Sequence, residues 1–214
     1  MCGIVGFVDN SHGTTPDELD RMRDRLTHRG PDDWGSQVFA RAPRQVGLGH
    51  RRLSILDLSA AGHQPMTYGD WTIVFNGEVY NYRELMARYR GNSDYLSTCD
   101  TEVVLRAIAE DGRDAPSRFI GMFTLAAYNR RTQKLLLARD RAGIKPLYYY
   151  RDGDLLLFAS EPKAFWGHTR FRNAIDPDSL TAFLQSGYLT GNRSIYRGVR
   201  QVPPGSVLVF SLDT

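Results

Sequence analysis

Short apolar runs, rather than long amphipathic stretches, set the pattern of this chain. Segments 3–8, 45–49, 71–75, 123–128, 134–139, 147–150 and 155–159 are rich in Val, Ile, Leu, Phe and Tyr. Bounded by Gly, Asp or Asn, they predict strands. Helical signals fall between them. Thr15-Pro16-Asp17-Glu18 offers a cap, a proline at the first helical position and a capping-box glutamate, which predicts a helix running to about Leu26. Arg21, Arg23 and Arg25 should form its solvated face. Asn81-Tyr82-Arg83-Glu84 repeats the cap-to-glutamate spacing and predicts a second helix. Val104, Leu105 and Ile108 share one face of a third, over 101–110, which Gly112 should stop. Asp176-Pro177 should open a fourth. Several strands follow one another without an intervening helix, so the expected class is layered α+β with largely antiparallel sheets rather than a doubly wound parallel sheet. After Val202-Pro203-Pro204-Gly205, the apolar run 207–210 reads as a strand leaving the domain. The last four residues then read as the start of a linker in a longer protein, with the domain itself over 2–210.

Composition narrows the function classes. A chain of 214 residues with 42% apolar and 24% charged content suits one sizeable globular domain. A net charge of +3 without a dense basic block gives no support to nucleic-acid binding. No apolar run reaches membrane-spanning length, and the N-terminus lacks the basic flank of a signal peptide. Cys2 and Cys99 make no disulfide framework, so a reducing, cytoplasmic setting is the default expectation. His12, His28, His50, His63 and His168 lack metal-ligand spacing, no metal is expected, and no phosphate-cradling glycine loop is present.

The chemistry concentrates at the second residue. Removal of Met1 would leave Cys2 with a free α-amine, whose reference pKa of about 7.7–8.0 suits a general base at neutral pH. Thiol and base then sit on one residue, the arrangement of an N-terminal nucleophile. On position alone, an incidental cysteine in an N-terminal strand is about as good a reading.

Other segments shift that balance. Cys2-Gly3-Ile4-Val5-Gly6 is followed in order by His28-Arg29-Gly30-Pro31-Asp32-Asp33, then by His50-Arg51-Arg52-Leu53-Ser54-Ile55-Leu56-Asp57-Leu58 with Gly62-His63-Gln64-Pro65-Met66. Phe75-Asn76-Gly77-Glu78-Val79-Tyr80-Asn81, Asp100-Thr101-Glu102-Val103 and Ala138-Arg139-Asp140-Arg141-Ala142-Gly143-Ile144-Lys145-Pro146-Leu147-Tyr148-Tyr149 complete the series. Together they resemble the N-terminal glutaminase domain of the glutamine-hydrolysing asparagine synthetases, which are class II, or N-terminal-nucleophile, glutamine amidotransferases. The resemblance runs from Cys2 to about Phe210. It implies a four-layer α/β/β/α sandwich with two stacked antiparallel sheets.

It also implies roles. Cys2 would attack the side-chain amide of glutamine. Asn76, through its side-chain amide, and Gly77, through its backbone N–H, would supply the oxyanion hole. Arg52 would hold the α-carboxylate of glutamine and Asp100 its α-ammonium. Leu53, Ser54, Ile55, Leu56 and Glu78 would line the substrate. Each position also has a plainer reading: Asn76-Gly77 as a common turn, Arg52 as a surface ion pair, Asp100 as a helix N-cap. Cys99 stands where the family often has Ser and is expected to stay reduced and passive. The implied partner is a C-terminal synthetase domain in cis, using ATP and Mg²⁺ to amidate aspartate. Other acceptors, such as a surface-polysaccharide carboxylate, stay open. So do a homodimer, a peptidase on the same scaffold and a non-catalytic domain of this fold. The glutaminase half itself should need no cofactor.

Overall fold

The computed structural model describes residues 1–11, 13–55, 59–90 and 94–212. Two antiparallel sheets form the centre. The first joins β1 (Gly3–Asp9), β2 (Asp33–Arg41), β3 (Arg44–Arg52), β8 (Tyr148–Asp152), β9 (Leu155–Ala159) and β10 (Val199–Gln201) in the order β10-β8-β9-β1-β3-β2. The second joins β4 (Met66–Tyr68), β5 (Trp71–Val79), β6 (Gly121–Asn129), β7 (Lys134–Arg139) and β11 (Val207–Ser211) in the order β11-β7-β6-β5-β4. Strand side chains alternate between faces, so each sheet has an inner and an outer apolar layer. Ile4, Val46, Leu48, Val74, Ala126, Leu137 and Phe158 fill the space between the sheets.

Helices cover the outer faces. Helix α1 (Pro16–Asp24) buries Leu19 and Met22 against Val5 and Phe7 of the first sheet. Helices α2 (Tyr82–Arg88) and α3 (Asp100–Asp111) cover the second sheet, where Val104, Leu105 and Ile108 pack on Phe75, Phe123 and Leu125. The result is the expected α/β/β/α sandwich. Helix α4 (Pro177–Ser186) is capped by Asp176, whose carboxylate accepts from the Ser179 N–H, with Pro177 in the first turn.

Local signals held where the side chain itself makes the local bond. Thr15 and Glu18 form the reciprocal capping box of α1. Asn81 opens α2 but makes no side-chain cap. Its amide instead donates to the Arg118 carbonyl and accepts from the Ile120 N–H. Arg23 is not on a solvated face: it is buried between α1 and β2, bonded to Asp20, Asp24 and the Ser36 hydroxyl. Strands β2, β4 and β10 lacked a readable apolar run. Nor does the run at 207–210 leave the domain: it pairs as β11 with β7, Ser211 included, and Leu212 is buried in the intersheet core. The fold therefore continues past the boundary expected at 210. Among the described residues no helix is long and apolar enough to cross a membrane.

Candidate active site

The site lies where the second sheet loses a strand. β4 pairs with β5 only over Met66–Tyr68 opposite Trp71–Ile73, so β5 runs on with its outer edge open. In an antiparallel strand, alternate residues point their N–H groups to the same side, and here residues 75, 77 and 79 face that open edge. The Phe75 N–H is taken by the Gln64 side chain at 2.6 Å, and the Val79 N–H by Asp100 Oδ2 at 2.8 Å. Between them the Gly77 N–H faces a pocket of about 220 Å³. An unclaimed donor between two claimed ones is the chief feature of this edge.

Asn76 supplies a second donor. It is 1% exposed, and its Nδ2 has no hydrogen-bond partner. Burying an amide donor unpaired costs roughly 1–3 kcal/mol, a cost that an acceptor entering the pocket would remove. The glycine at 77 is needed on the other side of the strand: a Cβ there would lie 2.4 Å from the Met122 carbonyl oxygen on β6. Close strand pairing, as well as access to the pocket, excludes a side chain.

Cys2 enters the pocket from the start of β1. Its Sγ accepts from the Leu53 N–H at 3.4 Å and lies 3.7 Å from the Leu53 carbonyl oxygen. Burial pushes the thiol above its ordinary range, opposed by the Leu53 N–H and by the charges of the N-terminus, Arg52 and Arg29. The thiol is therefore protonated at neutral pH and needs a base to become a nucleophile. Its carbonyl is held by Arg29, which donates from Nε at 2.8 Å and pairs through Nη1 with Glu161 at 2.7 Å.

Arg52 ends β3 with its guanidinium buried and donating to the Ser59 carbonyl at 3.0 Å. It fits only because residue 62 is glycine, where a Cβ would stand 2.0 Å from Nη2. Asp100 faces the pocket from the first turn of α3. It is the first helical residue rather than the cap, a position held by Cys99. Burial pushes its carboxyl up to about 6, against the bond from the Val79 N–H and with help from the charge of Glu78.

The structure thus brings Cys2, Arg52, Leu53, Ile55, Asn76, Gly77, Glu78 and Asp100 around one pocket. Ser54 is not among its lining residues. Its N–H turns to Asp32 Oδ2 at 2.8 Å, which fixes the loop after β3 from behind. Leu56 lies outside the described residues. Cys99 lines the pocket as a free thiol 3.0 Å from the Ser97 hydroxyl. Gln64, Thr101, Met122 and Lys145 also line the wall, with Met1, Gly62 and Phe75, and were not anticipated as site residues. Gln64, Thr101 and Lys145 sat inside recognised motifs, but only burial and contacts single them out. Apart from Lys145, the motif at 138–149 is scaffold: Arg139 donates to the carbonyls of Gly143, Lys145 and Val202, and Asp140 accepts from the N–H groups of Phe123, Ala142, Ile144 and Lys145. Among the described residues no three His, Cys, Asp or Glu side chains are grouped to hold a metal ion.

A family profile described as glutamine amidotransferase domain matches residues 1–214. Glutamine-hydrolysing asparagine synthetases 3 and 1 of Bacillus subtilis are 36% and 37% identical, each over 100% of this chain but 35% and 34% of their own lengths. Amidase chry2 of Gibberella zeae is 32% identical over 98% of this chain and 32% of its own. The chain thus spans about a third of the length of these relatives. In three dimensions it matches the glutamine phosphoribosylpyrophosphate amidotransferase of B. subtilis with a TM-score of 0.69 at 18% identity, over 99% of this chain and 47% of that one, a likeness of fold. With a family profile matched from end to end and full-length coverage by relatives above 30% identity, the chain belongs to the class II glutamine amidotransferase domain family.

Proposed function

We propose that this domain hydrolyses the side-chain amide of glutamine to glutamate and ammonia, with Cys2 as nucleophile once Met1 is removed. The observation that carries the reading is the pair of unclaimed donors, Asn76 Nδ2 and the Gly77 N–H, beside the Cys2 thiol. The α-amine of Cys2 takes the thiol proton, and Sγ attacks the amide carbon. The oxygen, now carrying negative charge, is received by Asn76 and Gly77. The C–N bond breaks as the amine returns its proton to the leaving nitrogen, giving ammonia and a γ-glutamyl thioester. Water, deprotonated by the same amine, resolves the thioester to glutamate and the free thiol. Arg52 and Asp100 fit the α-carboxylate and α-ammonium of a free amino acid better than a peptide chain.

On this reading the ammonia serves a C-terminal synthetase domain that uses ATP and Mg²⁺. Residues 1–214 carry no Ser-Gly-Gly-x-Asp-Ser loop for ATP, so that chemistry belongs outside them. Aspartate is the acceptor we favour, given the asparagine synthetases among the relatives. The test is glutamate release from glutamine, with Met1 removal checked by mass spectrometry. Cys2→Ala should abolish release while leaving the thermal transition in place. Equal rates in wild type and variant would refute the nucleophile assignment.

A further inference from the structure

Phe75 immediately precedes the two donors of the pocket, and its peptide groups are held in an unusual way. The β4–β5 ladder ends at the Met66–Ile73 pair. One further ladder step would set Gln64 opposite Phe75, backbone to backbone. Instead the Gln64 side chain takes that place, its Oε1 accepting from the Phe75 N–H at 2.6 Å. The Phe75 carbonyl is met from the first sheet by His50 Nε2 at 3.0 Å. A carbonyl can only accept, so Nε2 carries the proton and Nδ1 is a lone pair. That Nδ1 has no partner, and His50 is fully buried. Burial also pushes its basicity down to about 3, so the ring is neutral. Gln64 is in turn held by its Nε2, 3.4 Å from the Thr101 hydroxyl on α3.

We propose that His50 and Gln64 are positioning residues which, by gripping both polar groups of Phe75, aim the Asn76 and Gly77 donors at the oxyanion. The inference rests on the glutaminase reading above. A backbone ladder could have bonded Phe75 equally well, but it would have required β4 to continue, and a strand there would have covered the pocket. Side chains reaching from Gln64 and from the other sheet satisfy Phe75 while leaving the edge at Gly77 open. Because the oxyanion forms only in the transition state, loosening this grip should affect turnover more than substrate binding.

The test compares His50→Leu, His50→Gln and Gln64→Leu with wild type in three measurements. These are glutamine kcat and KM, affinity for the γ-aldehyde analogue of glutamine, and hydrogen exchange at the Phe75 and Asn76 backbone amides. Glutamine at residue 50 keeps an N–H at about the reach of Nε2; leucine does not. His50→Leu and Gln64→Leu should lower kcat by about 10- to 100-fold with KM within about threefold, and weaken the aldehyde by a similar factor. His50→Gln should recover kcat to within about fivefold of wild type. Exchange at the two amides should quicken in the leucine variants and not in His50→Gln. A folded His50→Leu protein with kcat within threefold of wild type, or equal losses in His50→Gln and His50→Leu, would overturn the proposal. If a leucine variant fails to fold, the other leucine variant and His50→Gln still decide it. Hydrogen exchange reports on the grip whether or not glutamine is the substrate, so failure of the glutaminase reading would appear separately, as a wild-type protein without glutaminase activity.

Discussion

Arg29 and Cys2 are joined by a hydrogen bond from the guanidinium Nε to the Cys2 carbonyl oxygen, at 2.8 Å, and the same guanidinium is paired with Glu161. Burial pushes the Glu161 carboxyl up, but bonds from Arg29, His28 and Lys163 outweigh it and hold it down at about 2. An N-terminal residue has no preceding strand to fix it, so this bond sets the direction in which the thiol enters the pocket.

Replacing Arg29 should therefore reduce turnover without touching any group that meets glutamine. Arg29→Met is expected to lower kcat about 10- to 100-fold, since a misplacement of about 1 Å at the reacting atom costs that much. KM should change little. Glu161→Gln keeps a partner for Arg29 and should lie between the two. Steady-state kinetics on the processed proteins would check this, and a raised KM at unchanged kcat would contradict it.

Two glycines of the site should respond differently to alanine. At Gly77 the added Cβ meets backbone, the Met122 carbonyl oxygen and the Phe123 Cα, neither of which can give way without parting β5 from β6. Gly77→Ala should cost about 1–3 kcal/mol of stability, readable as a lower denaturant midpoint. At Gly62 the Cβ meets the far end of Arg52. Gly62→Ala should leave the midpoint nearly unchanged but displace the guanidinium, raising glutamine KM with little effect on kcat.

Cys2 should react slowly before processing. Its thiol is pushed above its ordinary range by burial, more than the neighbouring Leu53 N–H and positive charges offset. Only the thiolate is alkylated. With Met1 retained, iodoacetamide at pH 7.5 should modify Cys2 more slowly than free cysteine. Removing Met1 supplies the base and should speed the reaction at that pH. Peptide mapping separates Cys2 from Cys99. Unchanged rates on processing would argue against the amine as base.

Most strands and helix starts were legible because their signals are local, whereas the four layers and the roles of the site residues followed only from the resemblance carried by the ordered motifs. Apolar runs gave most central strands, and capping side chains gave the start of α1. Cys2, Arg52, Asn76, Gly77 and Asp100 came from ordered motifs. What the sequence could not convey depends on contacts across the fold. Strand β2, with Trp34, Ser36 and Gln37 among its nine residues, has no apolar run longer than Val38-Phe39-Ala40, because much of its surface is exposed. Asn81 looked like a cap, yet its amide found better partners at Arg118 and Ile120, 37 and 39 residues away. The grip of Gln64 on Phe75 arises from where β4 stops, and no spacing rule encodes that.

Asp100 gives the clearest pH dependence. Its carboxyl is pushed up to about 6 by burial, with Glu78 adding to the effect. If its charge binds the α-ammonium of glutamine, kcat/KM should fall as pH drops through 6, because the free enzyme's pKa governs that ratio. Asp100→Asn should be weak and should lose the inflection near 6, keeping only the dependence set by the Cys2 amine. Stability should move the other way. A carboxyl whose folded pKa lies above its unfolded value of about 3.9 destabilises the fold as pH rises through that window, by at most about 3 kcal/mol above pH 6. Asp100→Asn removes this cost and keeps an acceptor for the Val79 N–H. The variant should therefore be more stable than wild type at pH 7.5 but not at pH 4. Asp9, Glu18 and Glu161, each held down at about 2, oppose this trend in the protein as a whole. Only the difference between the two proteins isolates Asp100. Glutamine should raise the wild-type midpoint and not that of the variant. Profiles of wild type and Asp100→Asn with the same shape from pH 5 to 7.5 would remove Asp100 from ammonium recognition.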